Sequence, residues 1–276
     1  MLTATLLALS AAVLHASWNM AIKQTKHDRY IALWAQFGLG GVFAAIAFVA
    51  VGGMAGRGWI WAVLSGCVQL PYIVLLARAY NHGDFSDVYP IARGGGAVLA
   101  AIGGLVLLGD PVRFWGIAAI MVVATGLITL AGKAKRAAVL TALGVAATIG
   151  TYTIIDSKGS RSTANVGYAF ASGVMVAVCC STYGIATGRV AELRAVLKVD
   201  WKRFAVAGFA SLLTYTLVLI AVRHASVGYV SALRESSVVL AALLGWRFLG
   251  EGDVRRRVIA SGIVLAGLIM LVTLGR

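Results

Sequence analysis

Charged residues are scarce in this 276-residue chain, and their scarcity excludes the commonest class of protein. Only 12% of the residues are Asp, Glu, Lys or Arg, whereas 60% are hydrophobic and the mean hydropathy is +0.89. A soluble domain carries about twice that share of charge. The composition therefore predicts a protein whose solvent is the lipid bilayer, and the repeated long apolar runs predict several membrane spans.

Acidic residues and cysteines are also few. Ten Asp and Glu residues stand against 24 Lys and Arg, which gives a net charge of +14. The basic residues gather in short loops, where lipid headgroups and membrane topology explain them, so nucleic acid is not an expected partner. The three cysteines, Cys67, Cys179 and Cys180, lie in apolar runs without CxxC spacing, so no metal site is expected.

Catalytic and nucleotide-binding motifs are missing as well. The sequence has no HExxH, no GxSxG, no paired intramembrane aspartates and no glycine-rich nucleotide loop. This argues against an enzyme, against an ATP-driven pump and against a bound cofactor. No amino-terminal leader with a small-residue cleavage site stands out, so the first apolar run is expected to be the first span.

Polar or glycine-rich breaks divide the chain into ten candidate spans of roughly 20 residues each. The longest connection, residues 188–203, mixes charged and apolar residues and predicts a short interfacial helix anchored by Trp201. The predicted fold class is an all-α polytopic membrane protein with ten transmembrane helices. The approximate spans are 3–22, 31–51, 58–80, 86–108, 112–131, 137–156, 165–187, 203–222, 228–249 and 256–275.

The two halves of the chain resemble each other. A shift of 141 residues overlays 89–130 on 230–271 without a gap, with 14 identities over 42 positions. Arg93 coincides with Arg234, and Asp110 coincides with Glu251. Because each half holds five spans, the second must enter the membrane in the opposite sense. The sequence thus predicts a 5+5 inverted repeat of residues 1–134 and 135–276, a symmetry typical of alternating-access transporters.

Three features together resemble the drug/metabolite transporter superfamily, in particular proteins with two EamA-type domains. They are the five plus five spans, an LGD or LGE loop after the fourth and ninth spans, and a GLI motif late in the fifth and tenth. YPIARG and LRESS further resemble a subgroup sometimes associated with phosphonate utilisation. The resemblance implies a ten-helix basket whose central cavity is lined by the spans other than the fifth and tenth.

Two arginines enter apolar runs, Arg93 in YPIARGGG and Arg234 in VSALRESS. Intramembrane arginine is costly and by default marks function, and its guanidinium binds carboxylate or phosphonate with two parallel hydrogen bonds. Arg93 and Arg234 are therefore candidate substrate contacts, together with their neighbours Tyr89 and Glu235. The alternative is that each arginine reaches the headgroups or neutralises an internal acid, for which Glu235 is the immediate candidate.

A polar helical face is predicted in each half of the chain. His15, Trp18 and Asn19 share one face of the first span. A shift of 137 residues places His15 over Tyr152 and Asn19 over Asp156 in the sixth span. The two faces are expected to meet at the cavity, with His15 and Asp156 as candidates for proton coupling.

Structural roles for these residues remain alternative interpretations. His15 can serve as a hydrogen-bonding residue between helices. Asp156 can instead end its span near the interface and pair with Lys158 or Arg161. Aromatic residues of the third and eighth spans add candidate lining for a pocket, namely Tyr72 and Tyr215.

Topology is predicted differently by two lines of reasoning. The basic residues concentrate in the first, fifth, seventh and ninth loops, which by the positive-inside rule places both termini outside. The family resemblance implies both termini in the cytoplasm, so the orientation stays open.

The sequence predicts a secondary active transporter of a small polar organic solute, anionic or zwitterionic, in the cytoplasmic (inner) membrane. A proton or a counter-solute is the expected coupling partner, and the protein is expected to be a monomer or a homodimer. The rival is a proton-coupled exporter of organic cations or drugs, with Asp156, Trp18, Tyr152 and Tyr72 as its cation trap. A non-transport membrane protein is a third alternative.

Overall fold

The computed structural model describes residues 1–23, 25–54, 56–82, 85–111, 113–130, 135–237, 239–240 and 254–274. The regular structure in these ranges is helical throughout. The helices are α1 (Leu2–Lys23), α2 (Arg29–Ala50), α3 (Arg57–His82), α4 (Phe85–Leu108), α5 (Phe114–Leu130), α6 (Arg136–Arg161), α7 (Gly167–Ala186), α8 (Val190–Ala221), α9 (Val227–Arg234) and α10 (Val254–Thr273).

Several of these helices have the length and composition of membrane spans. Six contain apolar stretches long enough to cross a bilayer, namely those in α2, α3, α4, α6, α7 and α8. Shorter apolar stretches lie in α1, α5 and α10. The chain is therefore an all-helical, multi-pass membrane protein.

Helix ends follow ordinary capping chemistry. The Asp28 side chain accepts a hydrogen bond from the Ile31 backbone N–H at 3.1 Å and so caps α2, and Ser226 caps α9 in the same way.

α8 bends at Asp200, whose backbone is not helical, and Trp201 beyond the bend is exposed. The short helix predicted within residues 188–203 is thus present as the first part of α8.

Helices from the two halves of the chain alternate around a ring. Neighbours contact each other in the order α1, α8, α2, α7, α3, α6, α4 and α9, and α9 returns to α1. α5 and α10 pack against each other beside this ring, and α5 also contacts α4. If each helix is replaced by the one five positions earlier or later in the chain, the ring has the same order of neighbours, read in the opposite direction.

The contact between α5 and α10 is reciprocal. A Cβ atom on Gly126 would lie 2.7 Å from Cγ2 of Val264, and one on Gly267 would lie 2.8 Å from Cγ2 of Val123. The missing side chains thus let the two helices approach closely. The 141-residue shift pairs Gly126 with Gly267 and Val123 with Val264. Each residue here touches the counterpart of its own partner, which is the pattern that a two-fold relation produces.

Candidate functional site

A cavity of about 80 Å³ lies inside the ring of helices. Part of its wall is bare backbone, because α2 and α8 cross at Gly40 and Gly208. A Cβ atom on Gly208 would lie 2.8 Å from the backbone nitrogen of Gly40. Side chains of α1, α2, α3, α6, α7, α8 and α9 supply the rest of the wall. They include six of the predicted site residues: His15, Trp18, Tyr72, Tyr152, Tyr215 and Arg234.

Aromatic rings form one side of this cavity. The Tyr152 ring lies edge to face with Tyr72 and with Tyr215, at centroid distances of 5.6 and 6.2 Å. His15 packs edge to face on Trp18 at 4.9 Å. Trp18 is buried, and its indole nitrogen has no hydrogen-bond partner among the described residues. Because buried tryptophan N–H groups usually find an acceptor, this donor is available to a bound molecule.

The two predicted arginines have different partners. Arg93 binds Glu235 with two hydrogen bonds, of 2.6 Å from Nη2 and 3.2 Å from Nε, and both side chains are buried. Arg234 lines the cavity, with its Cζ 6.0 Å from the centroid of the Tyr215 ring. No carboxylate among the described residues forms an ion pair with Arg234.

Arg93 and Glu235 stand apart from the other predicted site residues. Neither of them lines the cavity, and each is occupied by the other. For Arg93 the alternative interpretation, neutralisation of an internal acid, matches the geometry. A bidentate pair provides a buried guanidinium and a buried carboxylate with hydrogen bonds and with a neutralising charge.

Asp156 is fully buried behind the cavity wall. It accepts hydrogen bonds from the hydroxyls of Tyr168 at 2.6 Å, Ser172 at 3.3 Å and Tyr215. Ser172 and Tyr215 also line the cavity, so they separate Asp156 from it. Hydroxyls both donate and accept, and the same partners can therefore hold a carboxylate or a carboxylic acid.

The suggested surface pairing of Asp156 is not what the structure has. Arg161 binds Asp110 instead, with a distance of 2.6 Å from Nη1 to Oδ1. Asp110 also accepts the backbone N–H of Val227 at 2.7 Å. These bonds join the α4–α5 connection to the last residue of α6 and to the first residue of α9, at one end of the ring, here called the Asp110 end.

Comparison with known proteins agrees with this architecture. The sequence model of the EamA-like transporter family matches residues 136–273, half of the chain. The chain belongs to the EamA-like transporter family. It is accordingly a member of the drug/metabolite transporter superfamily, whose proteins are transporters rather than enzymes.

A solved structure shares the fold of this EamA-like protein. It is a crystal structure titled only as that of a protein, and it aligns with a TM-score of 0.77 at 17% sequence identity. The alignment covers 99% of this chain and 98% of the other. Curated protein sequences gave no match.

Some residues of the site were missed by sequence reasoning, and some lie outside the description. The side chains of Asn19 and Tyr89 fall outside the described part of the chain. Tyr168 and Ser172 were not predicted. Tyr168 is the second residue of α7, as Tyr30 is the second residue of α2. A comparison of the first residues of these two helices would have drawn attention to Tyr168. Ser172 had none.

No group of three or more His, Cys, Asp or Glu side chains in the described ranges could hold a metal ion. The polar groups that line the cavity are those of arginine, imidazole, indole, a glutamine amide and the hydroxyls of tyrosine, serine and threonine. These groups bind polar organic molecules and move protons.

Proposed function

We propose that this EamA-like protein is a secondary active transporter of a small polar organic solute, anionic or zwitterionic, in the cytoplasmic (inner) membrane. The observation that carries the proposal is the Arg234 guanidinium, which faces the cavity with no ion-pair partner among the described residues. A charge at this depth is unfavourable unless it is paired or serves a ligand. A carboxylate or phosphonate would provide both parallel hydrogen bonds that the guanidinium can make.

The rest of the cavity complements such a solute. The indole N–H of Trp18 offers a second donor to an anionic group. The ring faces of Tyr72 and Tyr152 offer contact to a carbon skeleton or to the ammonium group of a zwitterion. A small cavity lined by an arginine, several neutral hydrogen-bonding groups and several rings favours a compact solute over a large drug.

We further propose alternating access between two inverted five-helix repeats, residues 1–134 and 135–276, with ten spans in all. The alternating order of the ring and the reciprocal contact of α5 with α10 support this symmetry. The bonds at the Asp110 end hold that end together, so the solute would reach the cavity from the opposite end in this conformation. A proton or a counter-solute would supply the driving gradient, with His15 and Asp156 as the proton carriers, in a monomer or a homodimer.

The proposal is tested by thermal unfolding of the purified protein in detergent with acetate, methylphosphonate, methanesulfonate, glycine or tetramethylammonium. We expect an anion or a zwitterion to raise the unfolding midpoint of the wild type, and Arg234→Gln to abolish the rise. Arg194→Gln is the matched control, because Arg194 is exposed and distant from the cavity lining. Equal stabilisation of Arg234→Gln and wild type would contradict an anion site on Arg234.

A second candidate is a proton-coupled exporter of organic cations. The rings of Trp18, Tyr72, Tyr152 and Tyr215 around one cavity favour it, since aromatic faces attract cations. In the same experiment this candidate predicts stabilisation by tetramethylammonium that survives Arg234→Gln and disappears in Tyr152→Leu. Stabilisation by anions alone would exclude it.

A further inference from the structure

Tyr215 contacts two charged groups at once. Its ring lies beneath the Arg234 guanidinium at 6.0 Å, and its hydroxyl donates a hydrogen bond to Oδ2 of Asp156. The ring lines the cavity, whereas Asp156 lies behind it and is fully buried. The side chain thus joins the proposed substrate contact to the proposed proton carrier.

Asp156 has hydroxyl donors from two other helices. Tyr168 of α7 donates to Oδ1 at 2.6 Å, and Tyr215 of α8 donates to Oδ2. Tyr168 is buried and does not line the cavity. The two tyrosines therefore make the same kind of bond to Asp156, but Tyr215 alone of the two also contacts Arg234.

Other titratable and charged groups surround this bridge. Tyr152, one turn before Asp156 on α6, packs edge to face on the Tyr215 ring. The remaining groups come from α3, α4, α9 and α1, and they are Tyr72, Arg93, Arg234, Glu235 and His15. Arg93 and Glu235 are bound to each other, so Arg234 is the cation of this set that faces the cavity.

We propose that Tyr215 couples solute binding at Arg234 to proton uptake at Asp156; this inference rests on the proposed function. An anion on Arg234 neutralises the positive charge above the Tyr215 ring and draws the guanidinium toward the ligand. The hydrogen bond from the Tyr215 hydroxyl to the Asp156 carboxylate is thereby weakened. Asp156 then takes a proton from the solvent and becomes a carboxylic acid. The Tyr215 hydroxyl keeps its own proton, and its oxygen can accept a hydrogen bond from the protonated Asp156.

Linkage makes the coupling reciprocal, because a proton that follows the anion must also strengthen its binding. The anion should therefore bind more tightly at acidic than at alkaline pH, and its binding should be accompanied by proton uptake. Together these steps would carry solute and proton in the same direction.

The test uses methanesulfonate, whose charge is constant over about pH 5 to 8, so that any pH dependence belongs to the protein. We expect the wild-type dissociation constant to rise about tenfold across this range, which is a typical coupling strength. In Tyr215→Phe, which keeps the ring beneath Arg234, binding should persist with less than about a twofold dependence on pH. Tyr168→Phe is the matched control and should keep the wild-type dependence.

Two further measurements separate this inference from its competitors. His15→Gln removes the other proposed proton carrier, and the part of the pH dependence that passes through Tyr215 and Asp156 should survive this change. Methanesulfonate added to weakly buffered wild-type protein should remove protons from solution, as read by a pH dye, and should not do so with Asp156→Asn. This measurement needs no tyrosine variant to fold.

The outcomes are distinct. Full pH dependence in Tyr215→Phe, or equal loss in Tyr168→Phe or His15→Gln, would overturn the coupling role of Tyr215 while leaving the anion site intact. Absence of proton uptake by wild-type protein that binds methanesulfonate would overturn it as well. If the wild type binds no anion at all, the proposed function fails and this inference fails with it.

Discussion

Arg93 and Arg234 occupy equivalent positions in the two halves of the chain, yet their surroundings differ. Arg93 is bound by Glu235, whereas Arg234 faces the cavity above Tyr215. The 141-residue shift explains the difference, because the residue after Arg234 is Glu235 and the residue after Arg93 is Gly94. Glu235 follows Arg234 in the sequence, but it binds Arg93 of the other half. The difference of one residue thus accompanies an Arg234 side chain that has no ion pair among the described residues.

Removal of the acid should have the largest effect. Glu235→Ala removes the carboxylate that binds the buried Arg93. We expect a loss of about 3–5 kcal/mol of stability, since removing one partner of a buried ion pair is strongly destabilising. The measurement is the thermal unfolding midpoint in detergent. The double variant Arg93→Met with Glu235→Met is the control and should recover most of the loss, because it buries no charge. A midpoint equal to that of wild type in Glu235→Ala would show that the pair is not buried in this way.

Changes at Arg234 should affect binding more than stability. Arg234→Gln should weaken binding of methanesulfonate by about 2 kcal/mol, roughly 30-fold, as expected for hydrogen bonds to a charged group. Arg234→Lys keeps the charge and loses the planar fork, so we expect roughly a tenfold loss. Titration calorimetry measures both. Unchanged affinity for methanesulfonate in either variant would show that Arg234 does not bind the anion as proposed, and the two arginines would then not differ in this respect.

A third arginine sharpens the comparison because it is partly exposed. The Arg161 side chain is 27% exposed, against 5% for Arg93. Asp110→Asn removes the charge of its partner and retains an acceptor for the Val227 N–H, and we expect about 1 kcal/mol of destabilisation. Thermal unfolding measured beside Glu235→Ala gives the comparison. A loss as large as that of Glu235→Ala would mean that burial does not set the strength of these pairs.

The smallest effect is expected from one N–H group. Trp18→Phe removes the unpartnered indole donor and keeps a ring, so affinity for methanesulfonate should fall by roughly 1 kcal/mol, about fivefold. Trp34→Phe is the matched control, because the Trp34 indole donates to Ser181 at 3.0 Å and does not line the cavity. That variant should lose some stability and keep its affinity. Equal affinity of Trp18→Phe and wild type would remove Trp18 from the site.

Much of the site was predictable because polar side chains are rare in long apolar runs. His15, Trp18, Tyr152 and Arg234 stood out for that reason, and the structure brings them to one cavity. The pairing of Arg93 with a residue 142 positions away was foreseen only as an alternative. The partners of Asp156 could not be chosen from sequence, since many hydroxyls lie at similar distances along the chain.

The sequence by itself determined that this chain is a multi-pass helical membrane protein of the EamA-like family. Apolar runs of about 20 residues satisfy their own backbone hydrogen bonds in lipid when they form helices. Only the tertiary structure decided which arginine is neutralised and which faces the cavity. Ion pairs and hydrogen bonds act over a few ångströms. The interleaving of the two halves brings Glu235 to Arg93, and the packing of three helices within the second half places Tyr215 between Arg234 and Asp156.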